Sequence, residues 1–137
     1  MGEPIFQLES RVKENNIKVF SSNFSLYGNI SKRISNILKT FSSEIEIYSI
    51  DECFLDLTGF RKQNQILYGQ KIRQRVKQWT GLPVCVGIGS TKTLAKLANH
   101  IAKKNPELNG VCDLNAMSPQ QQDEWFSKIE VGEIWGI

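Results

Sequence analysis

Residues 44–59 read EIEIYSIDECFLDLTG, and the fold turns on how they are read. Two runs rich in β-branched and aromatic residues, EIEIYSI and CFLDLTG, flank one acidic pair, Asp51-Glu52. Such runs favour strands. Only the two acids lie between them, so the stretch predicts an antiparallel hairpin with Asp51 and Glu52 at its tip. In a regular strand neighbouring side chains point to opposite faces, and adjacent carboxylates can share one ion only where the chain turns. Two carboxylates at a tip also repel, which raises the cost of ionising both. A divalent cation removes that cost. Mg²⁺ takes hard oxygen ligands, often one or two carboxylates together with substrate phosphates. Hydrated turn residues are the ordinary alternative, and spacing alone leaves both readings open.

Working outward, residues 17–22 (IKVFSS) predict a short strand. Asn23 or Ser25 is a candidate cap for a helix to about Phe41, with Tyr27, Ile30, Ile34, Ile37, Leu38 and Phe41 at helical spacing. Beyond the hairpin, residues 64–80 predict a helix with Tyr68, Ile72, Val76 and Trp79 on one side, ended by Gly81-Leu82-Pro83. LPVCVGIG predicts a strand, with Val84, Val86 and Ile88 on one face and Cys85, Gly87 and Gly89 on the other. Ser90 or Thr91 then caps a helix to about Lys104, Asn109-Gly110 turns into a strand VCDL, and Ser118-Pro119 starts a last helix carrying Trp125, Phe126 and Ile129. This order fits an α+β fold, a mainly antiparallel sheet with helices packed on one face.

The helix STKTLAKLANHIAKK carries the second signal. At about 100° per residue, Lys92, Lys96 and Lys103 fall within roughly 40° of one another, with Asn99 close by. Leu94, Leu97 and Ile101 lie opposite and predict the buried side. A row of ammonium groups can meet phosphates; a solvated amphipathic helix is the plainer reading. The preceding GIGSTK matches neither common nucleotide-loop pattern, so its glycines are read as aids to close packing or a tight turn.

Composition narrows the classes. The chain has 137 residues, 40% hydrophobic and 23% charged, which suits one globular domain. Net charge is only +3, so charge balance by itself does not point to nucleic acid. Three scattered cysteines and a single His argue against zinc and for reduced thiols. No apolar run spans a bilayer and no signal-peptide pattern opens the chain, which predicts a cytoplasmic protein.

Together YSIDECFLDLTG and GIGSTKTLAKLANHIAKK resemble the two signature segments of the Y-family, or translesion, DNA polymerases, most of all its bacterial DNA polymerase V branch. FSSNFSLYGNISKRI and the closing IWGI follow the same order, so the resemblance covers nearly the whole chain. It implies a ferredoxin-like polymerase palm at residues 17–115, a remnant of the fingers at 1–16 and the start of a thumb at 116–137. It also implies DNA-templated nucleotidyl transfer in damage repair with two Mg²⁺ ions. Carried over, Asp51 touches both ions and Glu52 the one nearer the primer. Lys103 meets the incoming triphosphate, while Lys92 and Lys96 serve DNA contact or site electrostatics. A UmuD-like dimer, RecA and a sliding clamp are the partners expected of a full-length protein, with damaged primer-template DNA and dNTP as substrates.

The family's third metal carboxylate belongs to an Asp-x-Asn/Asp-x-Phe-Phe/Tyr phrase that this sequence lacks, as it lacks the little-finger domain. A palm fragment with little or no polymerase activity is therefore expected, with an open sheet edge that invites self-association. The alternatives are a non-catalytic module that binds DNA or partner subunits, and another palm-like enzyme such as a nucleotide cyclase, whose own signature loop is missing.

Overall fold

The computed structural model describes residues 4–60 and 63–137. Its elements in chain order are α1 (Glu9–Glu14), α2 (Phe24–Leu38), β1 (Ile45–Ile47), β2 (Cys53–Leu55), α3 (Gln65–Thr80), β3 (Val86–Ile88), α4 (Lys92–Lys104), β4 (Val111–Asp113) and α5 (Pro119–Phe126), with short 3-10 turns between several of them.

The helix boundaries follow local chemistry. Asn23, Asn64, Thr91 and Ser118 each accept a backbone N–H with the side chain, satisfying a donor that the first turn leaves free. Ser118 and Gln121 form a reciprocal capping box. Gly81 ends α3 in the left-handed region at φ 77°, which glycine adopts without strain. Two expectations fail here. Residues 17–22 form no strand, and Ile17, Val19 and Phe20 stay exposed. No described strand lies beside them to bond, and a single extended segment gains nothing from β propensity alone. Trp79 does not join the buried side of α3 but is 59% exposed.

The hairpin forms as an antiparallel pair with Ile45 opposite Leu55 and Ile47 opposite Cys53. Its tip is longer than the acidic pair, running from Tyr48 to Glu52. A two-residue tip needs positive φ, and no residue between Tyr48 and Glu52 adopts it. The wider turn is closed instead by Tyr48 and Ser49 N–H groups donating to the Glu52 carbonyl, at 3.1 and 3.0 Å.

The α+β class holds. The pairing and layering are more particular than the pattern of elements conveyed: the described strands make two separate pairs, and the second, β3 with β4, is parallel. A parallel pair needs a crossover, which α4 supplies. Parallel strands are stable when both faces are covered, and alternation along β3 and β4 does this. Val84 and Val86 pack with Ile72 and Val76 of α3 and Ile37 and Leu38 of α2. Cys85, Cys112 and Leu114 pack with Ala98, Ile101 and Ala102 of α4. Gly87 brings α4 onto β3; a Cβ there would sit 2.1 Å from the Asn99 backbone nitrogen and 2.2 Å from the Ala95 carbonyl. The helix that carries the lysines is thus pinned directly to β3.

Candidate active site

Three elements converge where the hairpin tip meets α4. Glu52 Oε1 lies 2.5 Å from Lys96 Nζ, a partly buried ion pair with side chains 33% and 23% exposed. At the other end of the hairpin Glu46 pairs with Lys92 at 2.5 Å, in a far more open setting. The lysine stems also cross the aromatic faces of the hairpin. Lys96 Nζ stands 5.5 Å from the Tyr48 ring centroid and Lys92 Nζ 5.4 Å from that of Phe54. The sequence spacing that aligned these lysines on one helix face therefore aligns them along one hairpin.

A cleft of about 180 Å³ opens beside the Glu52–Lys96 pair. Lys96, Asn99, His100 and Lys103 line it from α4, and Glu133 and Trp135 from the C-terminal segment. Lys103 is exposed and pairs with no carboxylate among the described residues. Asn99 Oδ1 is buried there without a hydrogen-bond partner. Glu133 reaches His100 Nε2 at 3.1 Å and Lys104 Nζ at 3.9 Å. Trp135 Nε1 donates to the Tyr48 hydroxyl at 3.0 Å, and its ring meets Tyr48 and Phe54 edgewise or tilted.

Asp51 stands on the other side of the tip. Its carboxylate accepts from Ser49 Oγ at 2.7 Å. It borders a smaller recess of about 40 Å³ between the tip and α2, with Ser31, Ile34 and Ser35. Of the residues singled out by sequence, the structure brings Glu52, Lys96 and Lys103 to one cleft. It leaves Lys92 paired at the entrance of α4 and Asp51 one residue around the turn. Among the described residues no three His, Cys, Asp or Glu side chains gather closely enough to hold a metal. The tip nonetheless supplies two hard oxygen donors, and Mg²⁺ commonly takes no more than that from protein.

Cys53, between Glu52 and the core, has its thiol pushed above the ordinary value by burial first and by the Glu52 charge second. Sequence reasoning missed His100, Glu133 and Trp135. His100 was within reach, one turn beyond Lys96 on the same helix. Glu133 and Trp135 arrive by tertiary folding and carry no local signal.

Comparison with known proteins bears on all of this. The model of the impB/mucB/samB family matches residues 1–100. The chain is 41% identical to Protein ImpB of Salmonella typhimurium, over 100% of this chain and 32% of that protein. It is 43% identical to Protein UmuC of Salmonella typhimurium strain LT2, over 99% of this chain and 32% of that protein. With DNA polymerase IV of Clostridium acetobutylicum the identity is 34%, over 99% of this chain and 32% of that protein. The chain thus spans about a third of the length of these relatives. Among solved structures it resembles an insertion ternary complex of Dbh DNA polymerase, with a TM-score of 0.76 and 28% identity over 99% of this chain and 38% of that one. DinB from Sulfolobus solfataricus gives the same TM-score and identity over the same shares of the two chains.

Proposed function

The chain belongs to the impB/mucB/samB family, and from that premise we propose that it is the palm part of an error-prone translesion DNA polymerase, catalysing DNA-templated nucleotidyl transfer during damage repair. The observation that carries this reading is the meeting of the acidic tip with the lysine helix, Glu52 Oε1 to Lys96 Nζ at 2.5 Å. A nucleotidyl-transfer site needs acidic oxygens beside cations that accept a polyphosphate, and the cleft offers both.

In this proposal Asp51 and Glu52 would hold Mg²⁺ through carboxylate oxygens. When bound, the ion lowers the pKa of the attacking primer hydroxyl and neutralises charge on the triphosphate. The chain's own groups do the rest. Lys103, exposed in the cleft and unpaired among the described residues, meets the triphosphate. Lys96 balances the charge of Glu52, and Lys92 steadies the outer end of the hairpin through Glu46. Ser49 holds the Asp51 carboxylate in one orientation. Residues 17–115 form the palm in this reading, 1–16 belong to the fingers and 116–137 begin the thumb. DNA and dNTP are the substrates of the whole enzyme, in the cytoplasm, with a UmuD-like dimer, RecA and a sliding clamp as partners.

With two carboxylates and no third ligand among the described residues, this span alone should hold metal weakly and place the reacting groups poorly. A misplacement of about 1 Å costs on the order of a hundredfold in rate. Primer extension by the isolated chain is expected to be slight, and robust template-directed synthesis would overturn that expectation. Titration with Mg²⁺, read as a rise in melting temperature, tests the site itself. Asp51→Ala should remove the rise. An unchanged response in that variant, or none in the parent, would favour a non-catalytic DNA- or partner-binding module.

A further inference from the structure

The opposite side of the molecule carries a second concentration of positive charge. Helices α2 and α3 together hold Lys32, Arg33, Lys71, Arg73, Arg75 and Lys77, and neither contains an Asp or Glu. The whole chain has 17 basic and 14 acidic residues, so everything outside these two helices is net acidic. Arg73 is turned inward: its Nε donates to the Val84 carbonyl at 2.7 Å and its terminal nitrogen to that of Asn109. The other five are exposed, and none forms an ion pair among the described residues.

On α3 the spacing of Lys71, Arg75 and Trp79 is four and four, which aligns them on one face over about 12 Å. The Arg75 guanidinium lies 4.9 Å from the Trp79 ring centroid, and that indole is 59% exposed. The β3–β4 layer separates this face from α4: Val84 and Val86 look toward α3, while Cys85 and Cys112 look toward α4. A strand lying in the cleft beside Lys96 and Lys103 therefore does not reach it without wrapping around the molecule.

Unpaired cations call for a polyanion. An exposed indole in their midst calls for a flat apolar partner, and nucleobases on a phosphate chain supply both. An acidic peptide would answer the charge and leave the indole unmatched. We propose that the outer face of α3, built on Lys71, Arg75 and Trp79 within the acid-free surroundings of α2, is a binding surface for single-stranded nucleic acid, separate from the cleft and independent of its chemistry.

The test is fluorescence anisotropy of a labelled oligothymidylate with the whole chain in magnesium-free buffer. Indole quenching is followed in a Trp125→Phe/Trp135→Phe background, where Trp79 is the sole reporter. Lys71→Gln with Arg75→Gln should weaken binding and shrink the slope of log K against log salt by about 1.4, the loss of two single-strand phosphate contacts. Trp79→Leu should weaken binding at least fivefold with the salt slope unchanged, as expected for lost stacking. Lys96→Gln with Lys103→Gln should retain both the quenching and most of the affinity. Unaltered binding in the α3 variants would overturn the proposal, as would loss of Trp79 quenching in the α4 variant. Competition and quenching by polyglutamate as strong as by the oligonucleotide would also overturn it, in favour of an acidic protein partner.

Discussion

Cys53 and Cys112 show how charge and burial act on single residues. Glu52→Gln removes the nearby negative charge that helps hold the Cys53 proton and frees the Lys96 ammonium. Loss of that negative charge favours thiolate, so alkylation of Cys53 by iodoacetamide at pH 8 should accelerate, while remaining slower than a free thiol because burial is the larger cause. Cys112 is pushed up to about 11, by burial first and by Asp113 second. It should stay unmodified in the same assay until the protein unfolds. Asp113 itself is raised above 3.8 by burial, against the hydrogen bonds it accepts from the backbone of Asn115 and Ala116. A folded pKa above the unfolded one means the native state binds the proton more tightly, so this residue's contribution to stability falls as pH rises above about 3.8. Asp113→Asn keeps an acceptor for the Asn115 N–H and removes the titration. Urea denaturation from pH 4 to 7 should show a shallower loss of stability in the variant.

At the scale of elements, the contact of β3 with α4 decides where the lysines stand. A methyl group at position 87 would overlap the Asn99 and Ala95 backbone, which belongs to a helix and cannot rotate away as a side chain could. Gly87→Ala should therefore cost about 3 kcal/mol in chemical denaturation, the upper part of the range for overpacking. Surviving folded protein should also show a displaced α4 and a weakened Glu52–Lys96 pair. Ser118→Ala breaks the capping box of α5 and should cost about 1 kcal/mol. The hairpin is held differently. It has only three ladder pairs, and its approach to α4 rests on two lysine–glutamate pairs and a layer of Tyr48, Phe54 and Trp135.

At the scale of the whole molecule, the described residues form two apolar clusters, one on each side of β3–β4. Ile101 and Leu114 are the largest fully buried side chains described on the α4 side. Ile101→Ala should cost about 2–5 kcal/mol by lost transfer energy and a residual cavity. A smaller companion change on the other side, Val76→Ala, should leave the cleft's metal response intact if the variant stays folded. The surface is uneven as well. Ile17, Val19, Phe20 and Phe24 are all at least half exposed and close in sequence. Apolar exposure of this kind promotes association, so size-exclusion elution is expected to shift toward larger species as concentration rises. A monomer at every concentration would contradict this.

Local chemistry determined much of this protein in the sequence alone. Asn and Thr caps, Gly81, the capping box, helical periodicity and the two β runs around Asp51-Glu52 act over a few residues, so α2 to α5 and the hairpin could be read directly. The same locality put Lys92, Lys96 and Lys103 on one face of a helix. Only the tertiary structure decided that Glu52, rather than Asp51, faces that helix, because the side of a five-residue tip a carboxylate takes depends on what packs against it. The parallel pairing of β3 with β4, the burial of α3 and α4 on opposite faces, and the arrival of Glu133 and Trp135 at the cleft were likewise settled by contacts between segments distant in the chain. Residues 17–22 mark the limit from the other side: β-forming side chains do not make a strand where no neighbouring backbone accepts and donates its hydrogen bonds.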